Sequence, residues 1–211
     1  MSTNTVKGLL VIALVLSTSE AWADYATLTR RNYEESKNEK AVILFGVNWG
    51  RHWGCAGFDN AQLQNLTFSR VDPATGDLSG EDIVLNTPAK LFAKNTSVSY
   101  AIIVEPGEYA LAGFDIKIAR SQSDVRHIKA KNIDLFENGK PAGGSLKVNA
   151  GEIVYIGDFG LDCAGGEPIP WRYYVQKRDF ESYVVGFKER YKFVGDKQVT
   201  YRLFQTNKYG E

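Results

Sequence analysis

Two stretches of this chain share one pattern, and they limit its fold more than any other feature. Residues 107–115 read GEYALAGFD and residues 151–159 read GEIVYIGDF. Each opens on Gly-Glu, sets an apolar or aromatic residue at every second position, and returns to Gly. Alternation of this period is what a strand with a buried face produces; a helix would need apolar residues three and four apart. Both stretches therefore read as core strands of a sheet-on-sheet fold.

The rest of the chain repeats the theme in shorter pieces. Residues 41–47 (AVILFGV) have no polar face, which predicts a strand covered on both sides. Residues 62–71 alternate around Leu66 and Phe68, and the DPATGD segment at 72–77 is a turn. Short strands are expected at 83–85 and 90–93, either side of Pro88. Residues 98–104 lead through Glu105-Pro106-Gly107 into the first Gly-Glu stretch, and 146–148 lead through Asn149-Ala150-Gly151 into the second. Both joins read as hairpins. Residues 127–136 predict a strand bulged near Asn132, and 171–176 another strand. The period then changes: Phe180, Tyr183, Val184, Phe187 and Tyr191 stand at helical spacing, predicting a helix near 179–192 capped at Asp179 or the residue before it and ended by Gly195. Residues 199–204 suit a last edge strand. With 11 Tyr and 11 Phe favouring pleated surfaces, the class is mainly β: an antiparallel β-sandwich of about 7–9 strands with one C-terminal amphipathic helix.

The N-terminus bears on compartment. Lys7 precedes the apolar run 8–16 (GLLVIALVL), and Ala21-Trp22-Ala23 offers a small-x-small cleavage site. This is the pattern of a cleaved signal peptide over residues 1–23, too short to span a bilayer, with an uncleaved anchor as the alternative. The expected location is periplasmic or secreted. Residues 24–40 read as a flexible lead-in, 41–206 as a single sandwich domain, and 207–211 as a disordered tail.

Pro106-Gly107-Glu108-Tyr109-Ala110-Leu111, followed by Gly113, resembles the Pro-Gly-x-Tyr-x-Leu hairpin of transthyretin-like and other immunoglobulin-like envelope β-sandwiches. The stretch 150–157 (AGEIVYIG) resembles the later Gly-x-Ile-Tyr-Tyr-Ile-Gly strand of uncharacterised bacterial exported proteins and lipoproteins, a group that also tends to close with a C-terminal helix. The resemblance implies an exported sandwich and assigns no catalytic residue. The chain lacks the lipidated Cys of the lipoprotein members.

Chemistry has few places to reside. Cys55 and Cys163 are the only cysteines, each in a Cys-Ala-Gly setting, and in an exported chain they predict a disulfide, with free or metal-binding thiols as the alternative. No zinc spacing, calcium loop, phosphate-cradling loop or haem site is visible, so no metal or cofactor is expected. Trp49-Gly50-Arg51-His52-Trp53 is the most unusual segment. It reads either as a ligand platform, indoles stacking on sugar or apolar groups beside Arg51 and His52, or as a plug for the open end of the sandwich. Trp171 and Tyr173 would extend that surface, completing the candidate binding set.

His52 and His127 are the only histidines, and no Gly-x-Ser-x-Gly elbow occurs. Asp158 with Asp162, or Glu108 with Glu152, are the carboxylate pairs a glycoside hydrolase would draw on. With 25 basic and 25 acidic residues, nucleic acid is not an expected partner. The leading expectation is a non-catalytic binding or interaction module for a protein or envelope component. The alternatives are a hydrolase of envelope polysaccharide and a structural subunit that pairs through an edge strand.

Overall fold

Seven consecutive buried residues, 41–47, dictate the layering of this chain. A strand buried on both faces needs a cover on each. The computed structural model describes residues 26–88, 97–137, 140–163, 168–173 and 177–204. In chain order the elements are β1 (Ala26–Thr27), α1 (Arg30–Ser36), β2 (Ala41–Asn48), β3 (His52–Cys55), β4 (Phe58–Val71), β5 (Leu78–Asn86), β6 (Ser97–Val104) and β7 (Gly107–Ala119). Then follow β8 (Val125–Ala130), a 3-10 turn (Asn132–Leu135), β9 (Phe136–Glu137), β10 (Lys140–Pro141), β11 (Ser145–Val148) and β12 (Ile153–Asp162). The chain closes with β13 (Ile169–Tyr173), α2 (Lys177–Arg190), a 3-10 turn (Lys192–Val194) and β14 (Val199–Tyr201).

One sheet, here sheet A, has the order β1-β6-β2-β12-β13, with β14 also on β12; sheet B has the order β11-β7-β4-β3, with β5 on β4 and β8 on β7. Between them lies the main core, where Phe45, Ile102, Ile156 and Phe159 of sheet A meet Leu66, Phe68, Leu111 and Ile116 of sheet B. On the far side of sheet A, Leu44, Ile103, Ile153 and Tyr155 pack against Tyr33 of α1 and Phe187 of α2. The molecule is thus helices, sheet A, sheet B, in that order.

The mainly β sandwich with a C-terminal helix is what the chain forms. Eight strands run five residues or more; the others among the described residues are short segments of two to four. β12 departs from antiparallel pairing, running parallel to both β2 and β14. The helix starts at Lys177, two residues before the expected start, and Gly195, at φ 65°, closes the turn after it.

Four expectations need correction. The two joins read as hairpins are sheet crossings: β6 lies in sheet A and β7 in sheet B, β11 in B and β12 in A. A reversal within one sheet and a corner between two sheets ask for similar turn dihedrals, so Pro-Gly alone does not separate them. The first corner is held by Tyr109, whose hydroxyl donates to the Glu105 carbonyl at 2.8 Å, and by Arg70, which donates to the Pro106 carbonyl at 3.0 Å. The tyrosine bond back to the main chain four residues upstream fixes the corner. Arg70 passes so close that a Cβ on Gly107 would sit 2.8 Å from its Nε, hence the glycine.

The supposed lead-in 24–40 carries β1 and α1. Thr29 and Asn32 cap the helix reciprocally, and Leu28 and Tyr33 are buried. One buried residue in a seven-residue helix is too few to show a period. The bulge expected near Asn132 is a 3-10 turn that drives Leu135 into the core. Between β2 and the long run of β4 the chain forms a further hairpin, β3 to β4. The signal segment, residues 90–93 and the tail 207–211 lie outside the described residues.

Candidate functional site

The end of the sandwich where β2 runs out gathers most of the predicted site residues. Asn48 accepts from the Gly50 N–H at 2.9 Å, a local side-chain turn that swings the chain out of sheet A. Trp49 follows and points inward. It is fully buried; its indole N–H donates to the Tyr100 hydroxyl at 3.0 Å, and its carbonyl accepts from buried Gln62 at 2.8 Å. Trp49 is therefore a core plug, and the platform reading does not extend to it.

Past the turn the chain pairs His52 with Ala61, Trp53 with Asn60 and Cys55 with Phe58. Ala56 and Gly57 close this hairpin with φ of 50° and 78°. Two successive left-handed residues are what a two-residue turn needs to match strand twist. At Ala56 this conformation costs about 1–2 kcal/mol, which the surroundings must offset. They include a covalent bond: Cys55 and Cys163 form a disulfide with Cα atoms 4.6 Å apart. The bond ties sheet B, through β3, to the residue directly after β12 of sheet A.

On this stapled hairpin Trp53 is 63% exposed, the most open large hydrophobic side chain among the described residues. The Arg51 guanidinium lies 3.5 Å from its ring centroid. At that range the cation is held on the ring face and orders the indole. His52 faces the other way, into the sandwich mouth beside Ala61. Its Nε2 is buried without a hydrogen-bond partner, and burial pushes its pKa below the ordinary histidine value. Trp171 pairs with Gly160 and Tyr173 with Asp158 on β13. Their backbones thus sit on the sheet edge leading to Cys163, Tyr173 further back than Trp171.

His127 stands elsewhere, on the outer face of sheet B. Its Nδ1 is 2.6 Å from Asp115 Oδ1, and the Lys129 ammonium is 3.0 Å from Oδ2. This is a polar ladder across β7 and β8.

The carboxylates divide. Asp158 and Asp162 are four residues apart on β12, about 13 Å at the rise of a strand, well beyond the separation of roughly 5–10 Å that glycoside hydrolysis uses. Glu152 is bound to Arg202 at 2.6 and 3.0 Å and to Asn149. Burial alone would raise its pKa, but these bonds bring it below the usual glutamate range. Glu108 lies in the other sheet, opposite Lys147.

A feature the sequence reading passed over surrounds Asp158. The β2–β12 register slips between Tyr155 and Asp158, where Gly157 adopts φ 99°. This bulge resets the alternation and turns the Asp158 side chain toward α2. There Tyr155 donates to it at 3.0 Å, and the Gly46 N–H provides a backbone bond. Burial nevertheless raises its pKa, and it raises those of Tyr155 and Tyr183 as well. A Cβ on Gly46 would come within 2.2 Å of Asp158 Oδ1, so Gly46 is the hole the carboxylate fills. The visible signal was Gly-Asp breaking the alternation at 157–158.

Among the described residues no group of three or more His, Cys, Asp or Glu side chains is placed to hold a metal, and no helix is long and apolar enough to cross a membrane. No protein-family model, curated protein or solved structure matches this chain. What the fold and the site define is a disulfide-stapled, three-layered β-sandwich that presents the Trp53 indole at its stapled end.

Proposed function

We propose that the chain is an exported, non-catalytic binding module of the cell envelope whose stapled end engages a glycan component. One observation carries this reading: Trp53 is mostly solvent-exposed, yet it is held by Arg51 on a hairpin locked by the disulfide. An exposed indole costs solubility unless something covers it, and a pre-ordered aromatic loses little entropy on binding. The uncovered face of the ring suits a sugar, with Arg51 supplying donors at its edge. The disulfide and the signal-like N-terminus support export. The Tyr109 corner and the Gly-Glu motifs support an immunoglobulin-like relationship. The hydrolase alternative draws no support from the carboxylate spacing.

Titration of soluble peptidoglycan strands into the oxidised protein tests this. Binding should be saturable and should weaken at least about tenfold in Trp53→Ala, the effect of removing an aromatic anchor. Equal affinity of the variant and the parent, or no binding to either, sinks the proposal.

A further inference from the structure

Among the described residues, part of one edge of sheet A is left unpaired. β6 pairs along its whole length with β2, but on its other side β1 reaches only Ile102 and Ile103. The Leu28 N–H then closes on the Ala101 carbonyl at 2.8 Å. Main-chain groups of successive residues in an antiparallel strand point to opposite sides. Since Ala101 faces β1, Ser99 and Ser97 direct their N–H and C=O groups to the same side, where no strand among the described residues pairs with them.

A groove of about 210 Å³ opens beside this edge, between Ser99 and Ala101 of β6 and Tyr183, Gly186, Phe187 and Arg190 of α2. Gly186 is the informative residue. Glycine inside a helix costs about 1 kcal/mol against alanine, and nothing in the fold asks for it, because a Cβ there would meet no atom within 4 Å. Its effect is to keep the helix wall of the groove open. Arg190, one turn further, is exposed and joins none of the ion pairs among the described residues. The C-terminal turn of α2 lies on the β1 side of the groove, since Tyr191 packs on Phe193 and Phe193 on Tyr33 of α1.

We propose that this groove binds the C-terminal segment of a partner polypeptide, which adds to β6 as a strand and sets its terminal carboxylate on Arg190. The open edge supplies main-chain bonds, and the aromatic groove receives alternate side chains, the usual division of labour in strand addition. β1 occupies the strand position from Ala101 onward, so an added strand must stop there. That favours a chain end over an internal segment. Arg190, beside that stop, selects a carboxylate over an amine. The site is on a different face from Trp53 and is independent of the glycan reading.

The test uses the full oxidised protein and a peptide library randomised at its last four positions, made once as free acids and once as C-terminal amides. Selected free acids should bind at least about tenfold tighter than their amides, the scale of one charge-assisted bond. Arg190→Ala should erase that difference. Gly186→Leu should abolish binding while the melting temperature stays level or rises, and Trp53→Ala should leave peptide binding unchanged. The proposal is overturned if acids and amides bind alike, if neither binds, or if Gly186→Leu binds as the parent does.

Discussion

The same Gly-Glu pattern opens β7 and directly precedes β12, and the two strands differ in what covers their second face. In β7, Tyr109, Leu111, Phe114 and Ile116 face the main core, while Asp115 on the other face meets His127 and Lys129 near solvent. In β12, Val154, Ile156 and Phe159 face the same core, but Ile153 and Tyr155 are buried again beneath the helices. The residues between the shared ones therefore decide the architecture. A strand that is apolar on both faces has to be an inner layer; one that spends its second face on charge can be the outside wall. β12 is also the less forgiving strand, because its bulge places a carboxylate in the inner layer.

Several experiments would break or sharpen this contrast. The largest effect should come from cutting the covalent tie between the end of β12 and sheet B. The disulfide spans a sequence separation of 108, and replacing both cysteines by Ser should cost about 4–5 kcal/mol in the chain-entropy view. Denaturant unfolding of the variant against the oxidised parent measures it; a loss under about 1 kcal/mol would mean the two sheets need no staple.

Next is a matched pair of glycines. Gly46→Ala drives a Cβ into the Asp158 carboxylate and should cost about 2–3 kcal/mol. Gly113→Ala, on β7, brings a Cβ to 3.2 Å from the Ala130 carbonyl and should cost about 1 kcal/mol or less. Equal costs would remove the contrast between the strands.

A matched pair of glutamates should separate more modestly. Glu152→Ala leaves Arg202 without its carboxylate and should lose about 1–2 kcal/mol, discounted for the partial exposure of Arg202. Glu108→Ala should stay within about 0.5 kcal/mol.

The pH dependences carry opposite signs. The folded-state pKa of Glu152 is depressed, so its contribution is present above the ordinary glutamate range and disappears as pH falls through the folded value. For Asp158 the folded pKa is raised, so stability declines as pH rises from the ordinary aspartate range through that raised value. Asp158→Asn should flatten that decline and remain at least as stable as the parent at pH 7. Its amide can accept from the Gly46 N–H and donate to Tyr155. Melting curves from pH 3 to 8 for both variants decide the signs.

What the sequence made legible follows from the range of each signal. The seven-residue run 41–47 revealed an inner strand because burial on both faces is written in every side chain. Phe180, Tyr183, Val184 and Phe187 revealed α2 because its covered stripe repeats over several turns. The cysteines were legible because only two exist. Trp49 and Trp53 were not separable, since which indole turns inward depends on the Asn48–Gly50 turn and on distant Gln62 and Tyr100. The corners at 105–107 and 149–151 looked like hairpins because strand partners are chosen by the sheets and not by the turn. The place of Asp158 beside α2 was not legible, because one extra residue in β12, Gly157, reverses the face that Asp158 occupies.

The staple also changes how far apart the chain is from itself. β2 and β12 lie side by side although Val47 and its partner Phe159 are 112 residues apart in sequence. Val47 precedes Cys55 by eight residues and Phe159 precedes Cys163 by four. With the disulfide closed, the path between them shrinks to about a dozen residues. Roughly three halvings of loop length recover about 2 kcal/mol of closure entropy. The longest-range parallel pairing in the molecule then becomes nearly local, and the oxidised chain should zip β2 onto β12 far sooner than the reduced one.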